Sequence, residues 1–315
     1  MIAVAGAYLL GFVDDRKQLS ARTRLLASVL LLVACLEITP AFVVEYLNFS
    51  FLPETIQLGP YSTLFTVIVI VGLINAANMV DGMNGLLCGL LVIWSAFLVC
   101  YAPPHIANIL ALLMVFLFLT LLFNLRGRLF LGDSGAYGLS IAIALVAIYL
   151  YNSPGTQLYA DVVVVWFAAP VVDCLRLIST RIRDNKSPMS ADRNHLHHRL
   201  QRIVPNWGAL LLYWLLVAVP GAIAIAIPTI APAMLLSTVC LYFILLVVSS
   251  ERYSRRIRQM WDPLSGGLQP VQRADQPNIL RQVSDLNETP SPRENSKSNR
   301  KGAVIYGRPP DCKCF

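Results

Sequence analysis

Long apolar stretches recur through the first 250 residues of this chain, and they decide what it can fold into. We predict nine membrane spans, at about residues 1–13, 24–39, 62–78, 85–101, 106–123, 135–151, 160–178, 209–227 and 230–249. Most of them approach or exceed the roughly 17 to 25 residues that a helix needs to cross about 30 Å of hydrocarbon. The stretches are continuous rather than alternating, which favours helices over barrel strands. The sequence therefore predicts an all-α, polytopic transmembrane helical bundle.

Composition and charge support this class and predict an orientation. With 56% hydrophobic and 14% charged residues, the chain does not have the polar surface of a soluble domain. Before residue 252, Lys and Arg occur only in loops that follow spans one, five and seven, and the opposite loops (40–61, 102–105, 152–158 and 228–232) have none. By the positive-inside rule the basic loops are cytoplasmic. The net charge of +7 then indicates attraction to anionic lipid rather than binding of nucleic acid.

The chain divides by composition into two parts. Residues 1–260 form the predicted membrane domain. From residue 261 to residue 315 the sequence is rich in Pro, Ser, Gln, Asn and Arg and has almost no apolar periodicity. This composition predicts a disordered cytoplasmic tail.

The first polar cluster ends span one with the sequence GFVDDR at residues 11–16. Asp14 and Asp15 are adjacent carboxylates, and two such groups need a cation or a shared proton to relieve their repulsion. We interpret the pair as a general base or as a group that faces magnesium. The simpler alternative is that these charges only mark the end of the span.

The segment NAANMVDGMNGL, at residues 75–86, is the most specific of the polar clusters. It places Asn75, Asn78, Asp81 and Asn84 in an apolar region where polar groups are costly, so that packing explains them poorly. Its glycines let the backbone approach a ligand closely, and the Asn and Asp side chains offer oxygens and amides. The segment therefore predicts a site for a nucleotide or a metal.

The segment FNLRGRLFLGDSG, at residues 123–135, repeats this design with Asn124 and Asp133. Asp133 lies among glycines at the start of span six. Magnesium takes one or two carboxylates together with phosphate oxygens, and a helix N-terminus adds a positive dipole end. We therefore predict that Asp133 binds magnesium.

The loop 181–208 holds three of the four histidines of the chain, namely His195, His197 and His198, with arginines on both sides. One histidine in a loop is usually solvated, but three within four positions indicate a ligand site. Zinc is a rival ligand, yet the loop offers no Cys or further His to close a tetrahedral site. The pattern therefore favours anion binding or proton chemistry on phosphate. Asp173 and Arg176, one turn apart in span seven, form either a structural pair or a substrate contact.

These segments, together with SPMSADRNHLHHRL at residues 187–200, resemble the polyprenyl-phosphate N-acetylhexosamine-1-phosphate transferases, a membrane family of glycosyltransferase family 4 type. The resemblance covers about residues 1–250. It implies transfer of a sugar-1-phosphate, GlcNAc-1-phosphate first among them, from a UDP-sugar to undecaprenyl phosphate with release of UMP. It also implies Mg²⁺ (or Mn²⁺), a bacterial inner membrane with the active site facing the cytoplasm, and initiation of a lipid-linked cell-envelope glycan. A homodimer is one assembly that it allows.

The resemblance also implies roles for single residues. Asp133 matches the magnesium-binding aspartate of the family, and Asp81 matches the first acid of a D-G-x-D-G motif. Asp14 and Asp15 match a pair implicated in activating the lipid phosphate, so these two and Asp81 are the predicted catalytic residues. The predicted substrate-binding residues are Asn75, Asn78, Asn84, Asn124, Arg193, His195, His197 and His198.

Two departures from the family pattern leave alternatives open. Asn84 stands where much of the family has Asp, which favours hydrogen bonding over metal binding at that position. The family also has about two further spans upstream, so we expect the natural protein to begin before Met1. An inactive homologue or a membrane scaffold is therefore an alternative function. An ion-coupled transporter is a more distant one, because acids at span ends also line ion pathways.

Overall fold

The structure is a computed structural model, and it describes residues 2–185, 187 and 194–250. Arg193 and the predicted tail, residues 261–315, lie outside the described residues. The described part is helical, with a single short hairpin. The helices are α1 (Ile2–Lys17), α2 (Ala21–Ile38), α3 (Ser62–Val80), α4 (Leu86–Val99), α5 (Pro104–Leu125), α6 (Gly132–Asn152), α7 (Ala160–Arg183), α8 (Leu196–Leu200), α9 (Asn206–Ala226) and α10 (Ala231–Val248).

Each of the nine predicted spans coincides with one of these helices, and the prediction of a helical membrane bundle is confirmed. Six helices of the described part, α3, α5, α6, α7, α9 and α10, are long and apolar enough to cross a membrane. Helix α4 is apolar but shorter, α1 has 16 residues, and α2 carries Arg22, Arg24 and Glu37. Length and composition therefore support six of the nine spans directly.

The helices pack closely because small residues lie where they cross. A Cβ atom on Gly89 of α4 would overlap the Trp214 ring of α9, and one on Gly221 of α9 would come within 2.5 Å of the Phe97 ring. Small residues at such contacts let membrane helices approach each other. Between α4 and α7, the indole N–H of Trp94 donates a 2.9 Å hydrogen bond to the carbonyl of Trp166.

The loop between α2 and α3 is fixed to one end of the bundle. It contains an antiparallel hairpin, β1 (Tyr46–Leu47) with β2 (Ile56–Gln57). Asp161, in the first turn of α7, accepts hydrogen bonds from the Ser50 backbone (3.0 Å) and hydroxyl (2.5 Å). The backbone N–H of Asn48 donates to the Tyr151 hydroxyl at 2.6 Å. These contacts tie the loop to the end of α6 and the start of α7. The polar clusters of the sequence lie at the opposite end of the bundle.

Candidate active site

Four segments that are distant in sequence meet at that opposite end. They are the end of α1, the loop after α3, the start of α6 and the histidine segment around α8. Asp15 of α1 accepts a hydrogen bond from the backbone N–H of Asp133 at 2.8 Å. A Cβ atom on Gly82 would lie 2.7 Å from Nε2 of His197, so the loop after α3 abuts the histidines. The carboxylates and the histidine segment therefore lie at the same end of the bundle.

Asp15 caps helix α6 from outside that helix. Its two carboxylate oxygens accept hydrogen bonds from the backbone N–H groups of Asp133, at 2.8 Å, and Ser134, at 3.1 Å. These are donors that the first turn of a helix cannot satisfy internally, and a negative charge there is favoured by the helix dipole. We expected this helix start to add a positive dipole end beside Asp133, and in the structure Asp15 occupies two of its donors.

Gly11 allows this capping. Helices α1 and α6 approach so closely that a Cβ atom on Gly11 would lie 2.5 Å from the Asp133 carbonyl carbon and 2.5 Å from the Cα of Ser134. Glycine is the residue that removes this obstacle. One turn further along α1, Asp15 then reaches the start of α6.

Asp14 has a different environment from its neighbour. It is 3% exposed, whereas Asp15 is exposed. Its carboxylate accepts hydrogen bonds from Arg24 of α2 (3.1 Å), the Tyr137 hydroxyl of α6 (3.2 Å) and the backbone N–H of Leu19 (2.8 Å). Arg24 is thus a cation beside the Asp14 carboxylate, and Asp14 links three helices. Its predicted catalytic role stays a prediction.

Asp81 and Asp133 supply the half-buried carboxylates of the site. Burial raises the pKa of Asp81 to about 7, and the nearby charges of Asp133 and Asp15 act on that pKa in the same direction. Asp133 lies in turn within electrostatic range of Asp14 and Asp15. Such a set of carboxylates gains from a divalent cation, and their hard oxygen atoms suit Mg²⁺. The residues therefore fit the predicted metal, with Asp133 and Asp81 as the residues that would hold it.

The asparagines predicted to bind substrate fall into different environments. Asn124 is buried, and both ends of its amide bind the protein: its oxygen accepts from the Gly85 backbone and its nitrogen donates to the Leu129 carbonyl at 2.7 Å. It therefore joins the loops after α3 and α5. Asn75 donates to the Val71 carbonyl within α3, at 2.8 Å. Asn84 is exposed, with its amide nitrogen 3.7 Å from where a Cβ of Gly127 would lie.

Asn78 is half-buried in α3, one turn before Asp81. Of the four asparagines, Asn84 and Asn78 are therefore placed to meet a ligand with their side chains. Asn124 is placed to hold the backbone that presents them. Substrate binding by any of the four stays a prediction.

The three histidines form one cluster. The His197 ring lies 5.3 Å from the His195 ring and 4.2 Å from the His198 ring, centroid to centroid. His197 is fully buried, and neither of its ring nitrogens has a hydrogen-bond partner among the described residues. Burial, with His198 and His195 beside it, lowers the pKa of His197 to about 3, so the ring is neutral at pH 7. A buried polar group without a partner is costly and is a candidate for contact with a ligand or water.

Asp173 holds the histidine segment against the helices. It is 1% exposed and pairs with Nδ1 of His195 at 3.1 Å. Arg176, one turn later in α7, donates to Asp173 at 2.9 Å, and the Tyr242 hydroxyl of α10 donates at 2.6 Å. Arg176 also donates to the carbonyl of Asn194, at 2.7 Å. Of the two alternatives for Asp173 and Arg176, the structure shows the structural pair.

The contact of Asp173 with His195 was not predicted from the sequence, and neither were the roles of Tyr242 and Tyr137. Tyr242 lies 69 residues after Asp173 and Tyr137 lies 123 residues after Asp14. Nothing in the pattern of the apolar spans distinguishes these tyrosines from others. Asp173 could have been singled out from the sequence, because a carboxylate inside a membrane span is rare and generally has a polar partner.

Asp173 lies close enough to two of the histidines to be a third metal donor. The loop offers no Cys or further His, but the structure brings a carboxylate of α7 to it: Asp173, His195 and His197 offer three ligand atoms that lie within 4.8 Å of one another. These three atoms leave zinc as a rival ligand of the segment. Asp173, however, already accepts hydrogen bonds from three side chains, which favours its use as a hydrogen-bond acceptor.

Comparison with known proteins agrees with this arrangement. Residues 1–151 match the model of the family described as glycosyl transferase family 4. This region, a little under half of the 315 residues, is therefore similar to glycosyl transferase family 4. The matched region contains Asp14, Asp15, Asp81, Asn124 and Asp133. The histidine segment lies beyond it.

The chain is also similar to curated proteins. It is 34% identical, over 206 residues, to the probable undecaprenyl-phosphate N-acetylglucosaminyl 1-phosphate transferase of Bacillus subtilis, a match covering 62% of this chain and 56% of that protein. It is 29% identical to the undecaprenyl-phosphate alpha-N-acetylglucosaminyl 1-phosphate transferases of Yersinia pestis and Escherichia coli K12, with 64% of this chain covered in each case and 58% and 57% of those proteins. The chain thus spans a little over half the length of these relatives.

Proposed function

We propose that this protein is a transferase that moves N-acetylhexosamine-1-phosphate, with GlcNAc-1-phosphate as the first candidate, from a UDP-sugar to undecaprenyl phosphate. A phosphate oxygen of the lipid attacks the sugar-bound phosphorus of the UDP-sugar. The bond from that phosphorus to the bridging oxygen breaks, and UMP leaves with this oxygen. The product is a lipid-linked sugar diphosphate, which we propose initiates a cell-envelope glycan such as lipopolysaccharide.

The observation that carries this proposal is the meeting of three carboxylates and the histidine segment at one end of a membrane bundle. Asp81 interacts electrostatically with Asp133 and Asp15. Gly82, the next residue after Asp81, contacts His197. Both substrates carry phosphate groups, and a site for them needs a cation against carboxylates and polar hydrogens against phosphate oxygens. The curated relatives, whose names give undecaprenyl phosphate as the acceptor, support the same conclusion.

We propose that Asp133 and Asp81 hold Mg²⁺, with Mn²⁺ as a substitute. When bound, the ion would neutralise the charge that develops on the diphosphate and on the departing UMP. The acceptor is already an anion, so its attack does not require a strong base. Asp15 acts in this scheme by fixing the start of α6, and with it the position of Asp133.

The histidine segment is proposed to bind the phosphate groups of the nucleotide-sugar, and Asn78 and Asn84 to bind its polar groups. Arg193 is proposed for the same role. The basic residues of the predicted cytoplasmic loops lie at this end of the bundle, at Arg16, Lys17, Arg126 and Arg128. The positive-inside rule then supports an active site that faces the cytoplasm at a bacterial inner membrane.

The decisive experiment measures UMP release and lipid-linked sugar from UDP-GlcNAc and undecaprenyl phosphate, with the full chain in detergent. We expect activity that requires Mg²⁺ or Mn²⁺ and that Asp133→Asn lowers by at least about 100-fold, because an amide does not balance the charge of the metal. Asp161→Asn is the matched control, since Asp161 is also an aspartate in the first turn of a spanning helix but at the other end of the bundle. Turnover without a divalent metal, or a fully active Asp133→Asn, would refute the proposal.

A further inference from the structure

The hydrogen bond between Asp173 and His195 joins two buried side chains. The Asp173 side chain is 1% exposed and that of His195 is 6% exposed, and Oδ2 of Asp173 lies 3.1 Å from Nδ1 of His195. The other oxygen, Oδ1, accepts from the Tyr242 hydroxyl (2.6 Å) and from Nη2 of Arg176 (2.9 Å). The backbone N–H of Leu196 lies 3.3 Å from Oδ1 and 3.4 Å from Oδ2 and is shared by the two oxygens, whereas each side-chain partner of Asp173 contacts one oxygen only.

These partners determine where the proton of the His195 ring lies. A carboxylate beside an arginine and a tyrosine hydroxyl is ionised and can only accept hydrogen bonds. Nδ1 of His195 must then be the donor, and in the neutral ring Nε2 is left as the nitrogen with the free lone pair. The hydrogen bond that one ring nitrogen makes thus fixes the state of the other.

The ring held in this way belongs to the proposed active site. His195 stacks on His197 with the ring planes 19° apart, and His197 lies against Gly82, next to Asp81. Tyr242 is fully buried, and its hydroxyl accepts a further hydrogen bond from Nε of Arg176, at 2.6 Å. The support for His195 therefore reaches from α8 through α7 to α10.

We propose that Asp173 is a positioning residue that holds His195 with its proton on Nδ1, so that Nε2 faces the phosphate groups of the nucleotide-sugar. This inference rests on the proposed function for the identity of the ligand. Asp173 does not itself touch the substrate. Tyr242 and Arg176 assist by keeping Asp173 ionised and in place.

Asp173→Asn makes a sharp test because of the donors around Oδ1. Tyr242 and Arg176 both require an acceptor there, so the amide oxygen of the substituted side chain takes that place and its NH₂ group turns toward His195. Nδ1 then has to accept, and the proton moves to Nε2. The substitution changes few atoms, yet it exchanges the protonated and unprotonated nitrogens of the His195 ring. The same change in a Ser-His-Asp triad lowers turnover by about 10⁴-fold.

The first measurement is the ¹⁵N NMR spectrum of the histidines in the detergent-solubilised protein, with the His195 signal assigned by its loss in His195→Gln. With only four histidines in the chain, the assignment is tractable. We expect the Nδ1–H form of His195 in the unaltered protein and the Nε2–H form in Asp173→Asn. The Nε2–H form in the unaltered protein would overturn the proposal, whether or not the variant folds.

The second measurement is activity. We expect Asp173→Asn to lower kcat by about 10² to 10⁴-fold while Asp161→Asn, a buried aspartate in the same helix, changes it less than about threefold. Equal activity of the two variants would overturn the proposal. A stoichiometric metal bound by Asp173, His195 and His197 would also overturn it, because a metal on Nδ1 displaces the proton. If the proposed function is wrong but the positioning role of Asp173 is right, the unaltered protein will be inactive with UDP-GlcNAc while His195 still shows the Nδ1–H form.

Discussion

Gly11 is the residue at which the link between helix packing and the site is most directly tested. In Gly11→Ala the new Cβ atom would lie 2.5 Å from the Asp133 carbonyl carbon and 2.5 Å from the Cα of Ser134. An ordinary contact needs about 3.4 Å or more, so α1 and the start of α6 must separate by about 1 Å. Backbone atoms cannot turn away as a side chain does. We expect a loss of about 1 to 3 kcal/mol in stability, as for other overpacked cores.

The same separation would reach the cap on α6. The Asp15 oxygens lie 2.8 and 3.1 Å from the two N–H groups, and a further separation of about 1 Å takes both beyond hydrogen-bonding distance. Asp133 then loses its fixed position, so we expect transferase activity to fall by more than the loss of folded protein explains.

Gly72→Ala is the control for both effects, because Gly72 lies inside helix α3 with nothing within 4 Å of its Cβ position. There, alanine should leave stability unchanged or raise it by about 0.5 to 1 kcal/mol. The assays are thermal unfolding in detergent and UMP release at equal folded protein. If Gly11→Ala unfolds and turns over like Gly72→Ala, the close approach of α1 and α6 has no part in the site.

Two further predictions concern the loop after α3. The pKa of Asp81 is raised from 3.8 to about 7 in the folded protein. The free energy of unfolding should therefore fall as the pH rises from about 4 to about 7, by at most about 4 kcal/mol. Without divalent metal, Asp81→Asn should therefore stabilise the protein at pH 8 and not at pH 4, and equal melting shifts at both pH values would contradict this. Gly85 has φ of +89° and a Cβ atom there would overlap the Leu125 side chain, whereas Gly155 has φ of +83° and open space around it. Gly85→Ala should cost about 1 to 3 kcal/mol more than Gly155→Ala in thermal unfolding, and an equal cost would remove the role of this contact.

The fold was largely predictable from the sequence because the membrane imposes a simple rule. An apolar stretch of sufficient length has to satisfy its backbone internally, and so it becomes a helix wherever it occurs. The ends of helices follow weaker signals. Helix α1 continues to Lys17, past the predicted end at residue 13, which places Asp14 and Asp15 on the last turn of a helix rather than in a loop.

The site was predictable to the extent that polar residues are rare in this chain. Asp81 and Asp133 stand out because a carboxylate in an apolar region needs a reason. The partners that decide the orientation of these groups could not be found in the same way. Whether Asp15 caps a helix, and whether Asp173 accepts from a histidine, depends on contacts between residues 118 and 22 positions apart. Such contacts are a property of helix packing, which the apolar pattern does not specify.

Two supports of the same kind therefore flank the proposed metal and phosphate groups. On one side, Asp15 of α1 fixes the backbone that carries Asp133; on the other, Asp173 of α7 fixes the ring of His195. In both, a carboxylate is used to hold another residue rather than to react, and in both the holding group comes from a different helix. A small shift between helices would then alter the geometry of the site on one side without touching its chemical groups. This arrangement explains why a glycine such as Gly11, which carries no chemistry, is expected to matter as much to turnover as some of the charged residues around it.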